Sequence, residues 1–96
     1  MTLADIISLI RRRRAQMLVH SYIYYWMNSN IIDDYTWQKW ADELVELQKT
    51  KKNIGWYDTA FKDWDSSTGC HLPTDEWVRS KATYILNIHD SMDNST

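Results

Sequence analysis

Gly55, Gly69 and Pro73 are the only glycine and proline residues in 96 positions. Inside a helix, glycine costs about 1 kcal/mol and proline about 3 kcal/mol relative to alanine. A chain with so few of either has few programmed breaks, and this favours an all-α fold. The length suits one small domain with a modest core. The expected architecture is an antiparallel helical hairpin over about residues 3–52, extended by further helices over about 56–90, or about three to four helices in all. A small, polar tail is expected over 91–96.

Local signals refine this outline. Thr2 and Asp5 form a capping-box start for a first helix. Ile6, Ile10, Met17 and Tyr24 recur at helical spacing, joined by Ile7, Leu18 and Tyr25, and the helix is expected to run to about Met27. Asn28-Ser29-Asn30 reads as a polar turn, and Asp33 as the N-cap of a second helix. On that helix Trp37, Trp40, Ala41, Leu44 and Leu47 define a stripe, with Asp42, Glu43, Glu46 and Lys49 mostly opposite. A short helix is expected over 56–64 with Phe61 as its core residue, then a loop over Asp65-Ser66-Ser67-Thr68-Gly69. Pro73-Thr74-Asp75-Glu76 restarts a last helix with Thr74 as cap, and Val78, Ala82, Ile85 and Ile88 form its apolar stripe.

Composition narrows the function classes. A formal charge of −2 argues against a general nucleic-acid binder. One cysteine excludes an intramolecular disulfide and fits a reducing cytoplasm. No run approaches membrane-spanning length, and the order of apolar residues followed by Arg11-Arg12-Arg13-Arg14 is the reverse of an export signal, so a cytoplasmic protein without membrane association is expected. The six Trp and six Tyr stand out in so short a chain. Each can bury roughly 150–250 Å², and too many rings compete for one small core. Trp37, Trp40 and Tyr24 fit the core by periodicity, whereas Tyr25, Trp26 and Tyr35 lie off the stripe. Trp56, Tyr57 and Trp64 add more rings in the second half. Those left exposed would form a contact surface.

Arg14 on the first helix is followed by Tyr22-Ile23-Tyr24-Tyr25, then Asn28-Ser29-Asn30-Ile31-Ile32-Asp33-Asp34, and later Glu43-Leu44-Val45-Glu46-Leu47. In this order and register the residues resemble the N-terminal Ia domain of bacterial NAD-dependent DNA ligases. That family carries an Arg, then Tyr-x-Tyr-Tyr or Tyr-x-Tyr-His, Asp-x-Pro-x-Ile-x-Asp, Glu-Tyr-Asp and Glu-Leu-x-x-Leu. The likeness covers roughly the first half of the chain. It implies a clamp for the nicotinamide mononucleotide half of NAD, with Tyr24, Tyr25, Trp37, Asp34 and Arg14 at the clamp positions. The departures are Asn28 and Asn30 for the family's first Asp and Pro, Trp37 for its Tyr, and Gln38 for the Asp that follows. A tryptophan can still stack on a cationic ring. Gln38 lacks the charge, which removes a contact worth about 1.5–3 kcal/mol.

A ligase's Lys-x-Asp-Gly nucleophile motif does not occur in these 96 residues, so a non-enzymatic protein is expected. Cys70-His71 lacks an orienting third group. His20, His71 and His89 are too scattered for zinc spacing. Arg11 to Arg14 splay around a helix at about 100° per residue, either as a solvated face with packed stems or with Arg14, joined by Arg11, aimed at a phosphate or acidic partner.

Two function classes follow. The first is a protein-binding module, of the kind that small stand-alone chains similar to this ligase domain provide in phages and prophages, where accessory factors bind a host protein such as a defence component and block or redirect it. The second is a nicotinamide mononucleotide or NAD binder, or a ligase auxiliary.

Overall fold

The computed structural model describes residues 1–93. Three helices carry the fold: α1 (Leu3–Trp26), α2 (Asp34–Thr50) and α3 (Glu76–Asp93). Among the described residues there is no strand, so the domain is all-α, as its scarcity of glycine and proline predicts.

The termini of α1 and α2 form where their capping residues predict. The Thr2 hydroxyl accepts from the Asp5 amide at 3.2 Å, and the Asp5 carboxylate accepts from the Thr2 amide at 3.0 Å. This satisfies two donors that a helix start would otherwise leave unpaired. At the far end of α1, Asn28 adopts a left-handed backbone, φ 52°, a conformation asparagine tolerates better than most residues. The chain turns there, and Asp33 then caps α2 by accepting from the Thr36 amide at 2.7 Å.

Contacts of Arg13 with Glu43, Arg14 with Gln48 and His20 with Trp40 set α1 and α2 antiparallel. Helix α1 packs against both α2 and α3. Its buried residues therefore face more than one neighbour rather than a single stripe. Ile10, Met17 and Leu18 join Ala41 and Leu44 of α2, Val78 of α3, and Phe61, Trp64 and Leu72 from the connection between α2 and α3. A second cluster joins Val19 and Ile23 to Ala82, with Ile31 and Ile85 beside it.

The connection departs from expectation. No helix forms over 56–64; hydrogen-bonded turns take its place. Gly55 and Tyr57 both have left-handed backbones, φ 80° and 56°, which a right-handed helix cannot accommodate. Asp58 instead holds the Ile54 and Gly55 amides, each at 2.9 Å. Phe61 is fully buried even so, and Trp64 is buried beside it, its indole N–H donating to the Ala41 carbonyl at 3.0 Å. Trp64 is thus a core residue and not one of the surplus surface rings.

The α3 restart also shifts by one residue. Asp75, not Thr74, is the cap: its carboxylate accepts from the Val78 amide and its carbonyl from the Arg79 amide, both at 3.0 Å. The α3 stripe is buried at Val78 and Ala82, but Ile88 is exposed. The helix continues through Ser91 to Asp93, so the polar tail expected from Ser91 begins no earlier than residue 94. Residues 94–96 lie outside the described part of the chain.

Candidate functional site

The last turn of α1 and the first turn of α2 approach each other across the Asn28 turn. Their side chains enclose a cleft of about 190 Å³. Tyr24 and Tyr25 from α1 and Asp34 and Trp37 from α2 line it together. These are four of the five positions at which the ligase resemblance implies a clamp. The two tyrosine rings meet edge to face at 4.9 Å. Trp37 rests against the buried Trp64 at 6.2 Å, which ties one wall of the cleft to the core.

Arg14, the fifth position, is elsewhere. It lies seven residues before Ser21, about 10 Å back along α1, and is fully buried. Its Nε donates to Gln48 at 2.9 Å. Nη1 donates to the Trp56 carbonyl at 2.6 Å and to Asp58 at 2.7 Å, and Nη2 donates to the Lys52 carbonyl at 2.7 Å. Four of its five N–H groups are thereby engaged within the fold. Neither sequence reading of Arg14 holds: it is not a solvated stem, and it is not available to a phosphate or an acidic partner. It fastens the α2 terminus and the 52–58 turns to α1. Burial pushes the Asp58 carboxyl up, but the Arg14 hydrogen bond, the two amide bonds and the Arg14 charge outweigh this and hold it at about 2. Of the neighbouring arginines, Arg11 lies over the Trp56 ring at 4.8 Å, and Arg13 pairs with Glu43 at 2.8 Å.

The floor and rim of the cleft hold residues that periodicity did not single out. Ser21 and His20 lie one turn before the tyrosines, and Asn30, Ile32 and Asp33 come from the connecting turn. The Ser21 hydroxyl and His20 Nδ1 are buried and make no hydrogen bond. Burial pushes the His20 imidazole below its ordinary range, so it is neutral at neutral pH. The sequence signal for either is weak: Ser21 looks like any small helical residue, and a single histidine outside zinc spacing marks no site.

The loop expected over 65–69 closes one side. Tyr25 and Thr68 share a hydroxyl–hydroxyl hydrogen bond at 3.0 Å. Gln38 Nε2 donates both to the Ser66 carbonyl at 3.1 Å and to Asp42 at 3.0 Å. Gly69 lies so close to α1 that a Cβ there would stand 2.1 Å from the Ser21 hydroxyl. Gln38 is therefore a loop anchor.

The electrostatics of the cleft are one-sided. Its ionised lining groups are Asp33 and Asp34, and no lysine or arginine lines it. Hydrogen bonds from the Thr36 side chain and amide hold the Asp33 carboxyl below its ordinary range.

The second sequence motif does not form a site. Cys70 is exposed, while the His71 ring lies 6.2 Å from Trp64. Among the described residues, no group of three or more His, Cys, Asp or Glu side chains converges as a metal site, and no helix is long and apolar enough to cross a membrane.

In comparisons with known proteins, the chain matches no family model, no curated protein and no solved structure. The reading of the site therefore rests on its own geometry.

Proposed function

We propose that this chain is a non-enzymatic protein-binding module that docks through the aromatic and acidic face around the α1–α2 turn. One observation carries the reading. Tyr24, Tyr25, Trp26 and Tyr35 are 54%, 43%, 62% and 76% exposed, the first three in the last turn of α1 and the fourth in the first turn of α2, and Tyr24 and Tyr25 line the cleft with Asp33 and Asp34. Leaving four large rings in water forgoes burial that a small domain needs, and Tyr and Trp are the residues that most often anchor interfaces. The resemblance to small stand-alone ligase-like chains supports a host protein as the partner, bound so as to inhibit or redirect it.

The test is retention of a host partner by the immobilised chain, followed by a dissociation constant for the isolated pair. Tyr24→Ala and Trp26→Ala should each weaken binding by tenfold or more. Tyr84→Ala, an exposed ring on α3, should leave it unchanged. Equal losses from all three, or none from the first two, would remove the basis for this docking face.

A nicotinamide-nucleotide reading has one observation in its favour: Tyr24, Tyr25, Asp34 and Trp37 share a cleft. Two observations weigh against it. No cation lines the cleft to hold a phosphate, and about 190 Å³ falls short of the roughly 300–1,000 Å³ of most small-molecule pockets. Thermal melting with millimolar nicotinamide mononucleotide or NAD separates the readings. A ligand at a hundred times its dissociation constant adds about 2.7 kcal/mol, or roughly 10–20 °C in a domain this small. A flat response is expected, and a rise of that size would favour the nucleotide.

A further inference from the structure

We propose that the cleft between Tyr24, Tyr25 and Trp37 is a receptor for an arginine side chain of the partner protein. The inference deepens the binding-module reading and rests on it for the source of the arginine.

The polar lining includes acceptors that the fold leaves open. Asp34 is a carboxylate at the mouth. Gln38 uses its amide nitrogen on Asp42 and the Ser66 carbonyl, which leaves its oxygen as the free end. At the floor the Ser21 hydroxyl, on a residue only 3% exposed, has no partner, and neither has His20 Nδ1. Both atoms are covered, the Ser21 hydroxyl by Gly69, so the acceptors within a guest's reach are the Asp34 carboxylate and the Gln38 oxygen.

Charge and shape point the same way. Asp33 and Asp34 attract a cation, while no lysine or arginine of this chain lines the cleft to repel one. The walls are aromatic, and a cation over such rings gains about 0.5–2 kcal/mol according to its desolvation. Of the two basic side chains, guanidinium fits better. It is planar, stacks on rings, sheds water more readily than an ammonium and carries five donors with no acceptor. The volume admits the end of one side chain, and the acidic rim disfavours any guest bearing a phosphate.

The experiment uses the full chain, ¹⁵N-labelled, titrated with four probes. These are acetyl-Gly-Arg-Gly-amide, the same peptide with citrulline, the same peptide with lysine, and nicotinamide mononucleotide. Citrulline keeps arginine's length and shape but is uncharged. The arginine peptide should shift the amides of Ser21, Tyr24, Tyr25 and Asp34 and bind at least about tenfold more tightly than the citrulline peptide, the margin of one charge-assisted contact. Asp34→Asn should remove that margin, whereas Glu46→Gln, the same charge change elsewhere on α2, should not. Both positions are exposed, so folding is preserved and can be checked by circular dichroism. Equal binding of the arginine and citrulline peptides, tighter binding of lysine or of the mononucleotide, or shifts confined to other surfaces would overturn the proposal. A dimer that dissociates on Arg12→Gln would assign the guest to a second copy and also overturn it.

The two readings fail separately. If the arginine peptide does not bind while Tyr24→Ala still abolishes partner retention, arginine recognition is wrong and the module stands. If the peptide binds but partner retention ignores Tyr24→Ala, the cleft chemistry stands and the docking face is wrong.

Discussion

Replacing Arg14 with methionine tests the central structural claim, that a buried arginine holds the second half of the chain onto α1. Methionine approximates the length and apolar stem but removes every donor. Four acceptors then lose their partner: Gln48, the Lys52 and Trp56 carbonyls and Asp58, now bonded at 2.6–2.9 Å. Hydrogen bonds to a charged group contribute about 1.5–3 kcal/mol each. They are not additive, and water can reach Asp58, whose side chain is 28% exposed. Removing one partner of a buried ion pair costs about 3–5 kcal/mol, and about 4 kcal/mol is the figure expected here. A chain of this length is stable by about 5–14 kcal/mol, so the loss takes about 30–80% of the total. At about 4–8 °C per kcal/mol, the melting midpoint should fall by about 15–30 °C. Arg14→Lys keeps the charge, but three donors on one nitrogen cannot span four separated acceptors, and about half the loss is expected. Urea denaturation monitored by circular dichroism measures both. A loss under about 1 kcal/mol for Arg14→Met, or an Arg14→Lys variant as stable as the native chain, would refute the reasoning.

Two further predictions follow from the same interior. The Asp58 carboxyl sits at about 2 in the fold and near 3.9 when unfolded. Its contribution is therefore present above pH 4 and is lost as pH falls from about 4 to about 2. After allowance for partial exposure this amounts to about 1–2 kcal/mol, so stability measured at pH 5 and pH 2 should fall by that much more in the native chain than in Asp58→Asn; equal falls would show that Asp58 is not the group responsible. Trp64→Ala should cost about 3–5 kcal/mol, since Trp64 is 8% exposed and bonded to Ala41, whereas Trp26→Ala should change stability by less than about 0.5 kcal/mol; comparable effects in denaturation would contradict the core assignment.

Much of the helical scaffold was legible in local chemistry. The Thr2–Asp5 box and the Asp33 cap are decided by side chains bonding to backbone three residues away, and the Asn28 turn by a left-handed backbone that asparagine tolerates; short-range chemistry of that kind survives translation into tertiary structure. The helix expected over 56–64 failed because residue pattern does not report backbone handedness. Nothing about Tyr57 announces φ 56°; next to it Asp58 reaches back to two amides while it also holds Arg14. The one-residue shift from Thr74 to Asp75 is a competition between adjacent capping residues, and the carboxylate won.

The candidate site divides in the same way. A resemblance in residue order drew attention to Tyr24, Tyr25, Asp34 and Trp37, and their shared cleft follows from a short turn that brings the end of one helix beside the start of the next. Neither Arg14's burial nor Ser21's unpartnered hydroxyl was visible, because both depend on segments some 30 to 50 residues away folding back onto α1.

The sequence by itself determined that this chain is helical, where α1 and α2 start, and that it carries more aromatic rings than so small a core can take. Only the tertiary structure decided which rings those were, that Trp64 goes inside while Tyr24 stays out, and that an arginine became part of the interior. The physical reason is range. Helix formation and capping are settled by neighbours in the chain, but burial is settled by whatever the rest of the chain brings alongside.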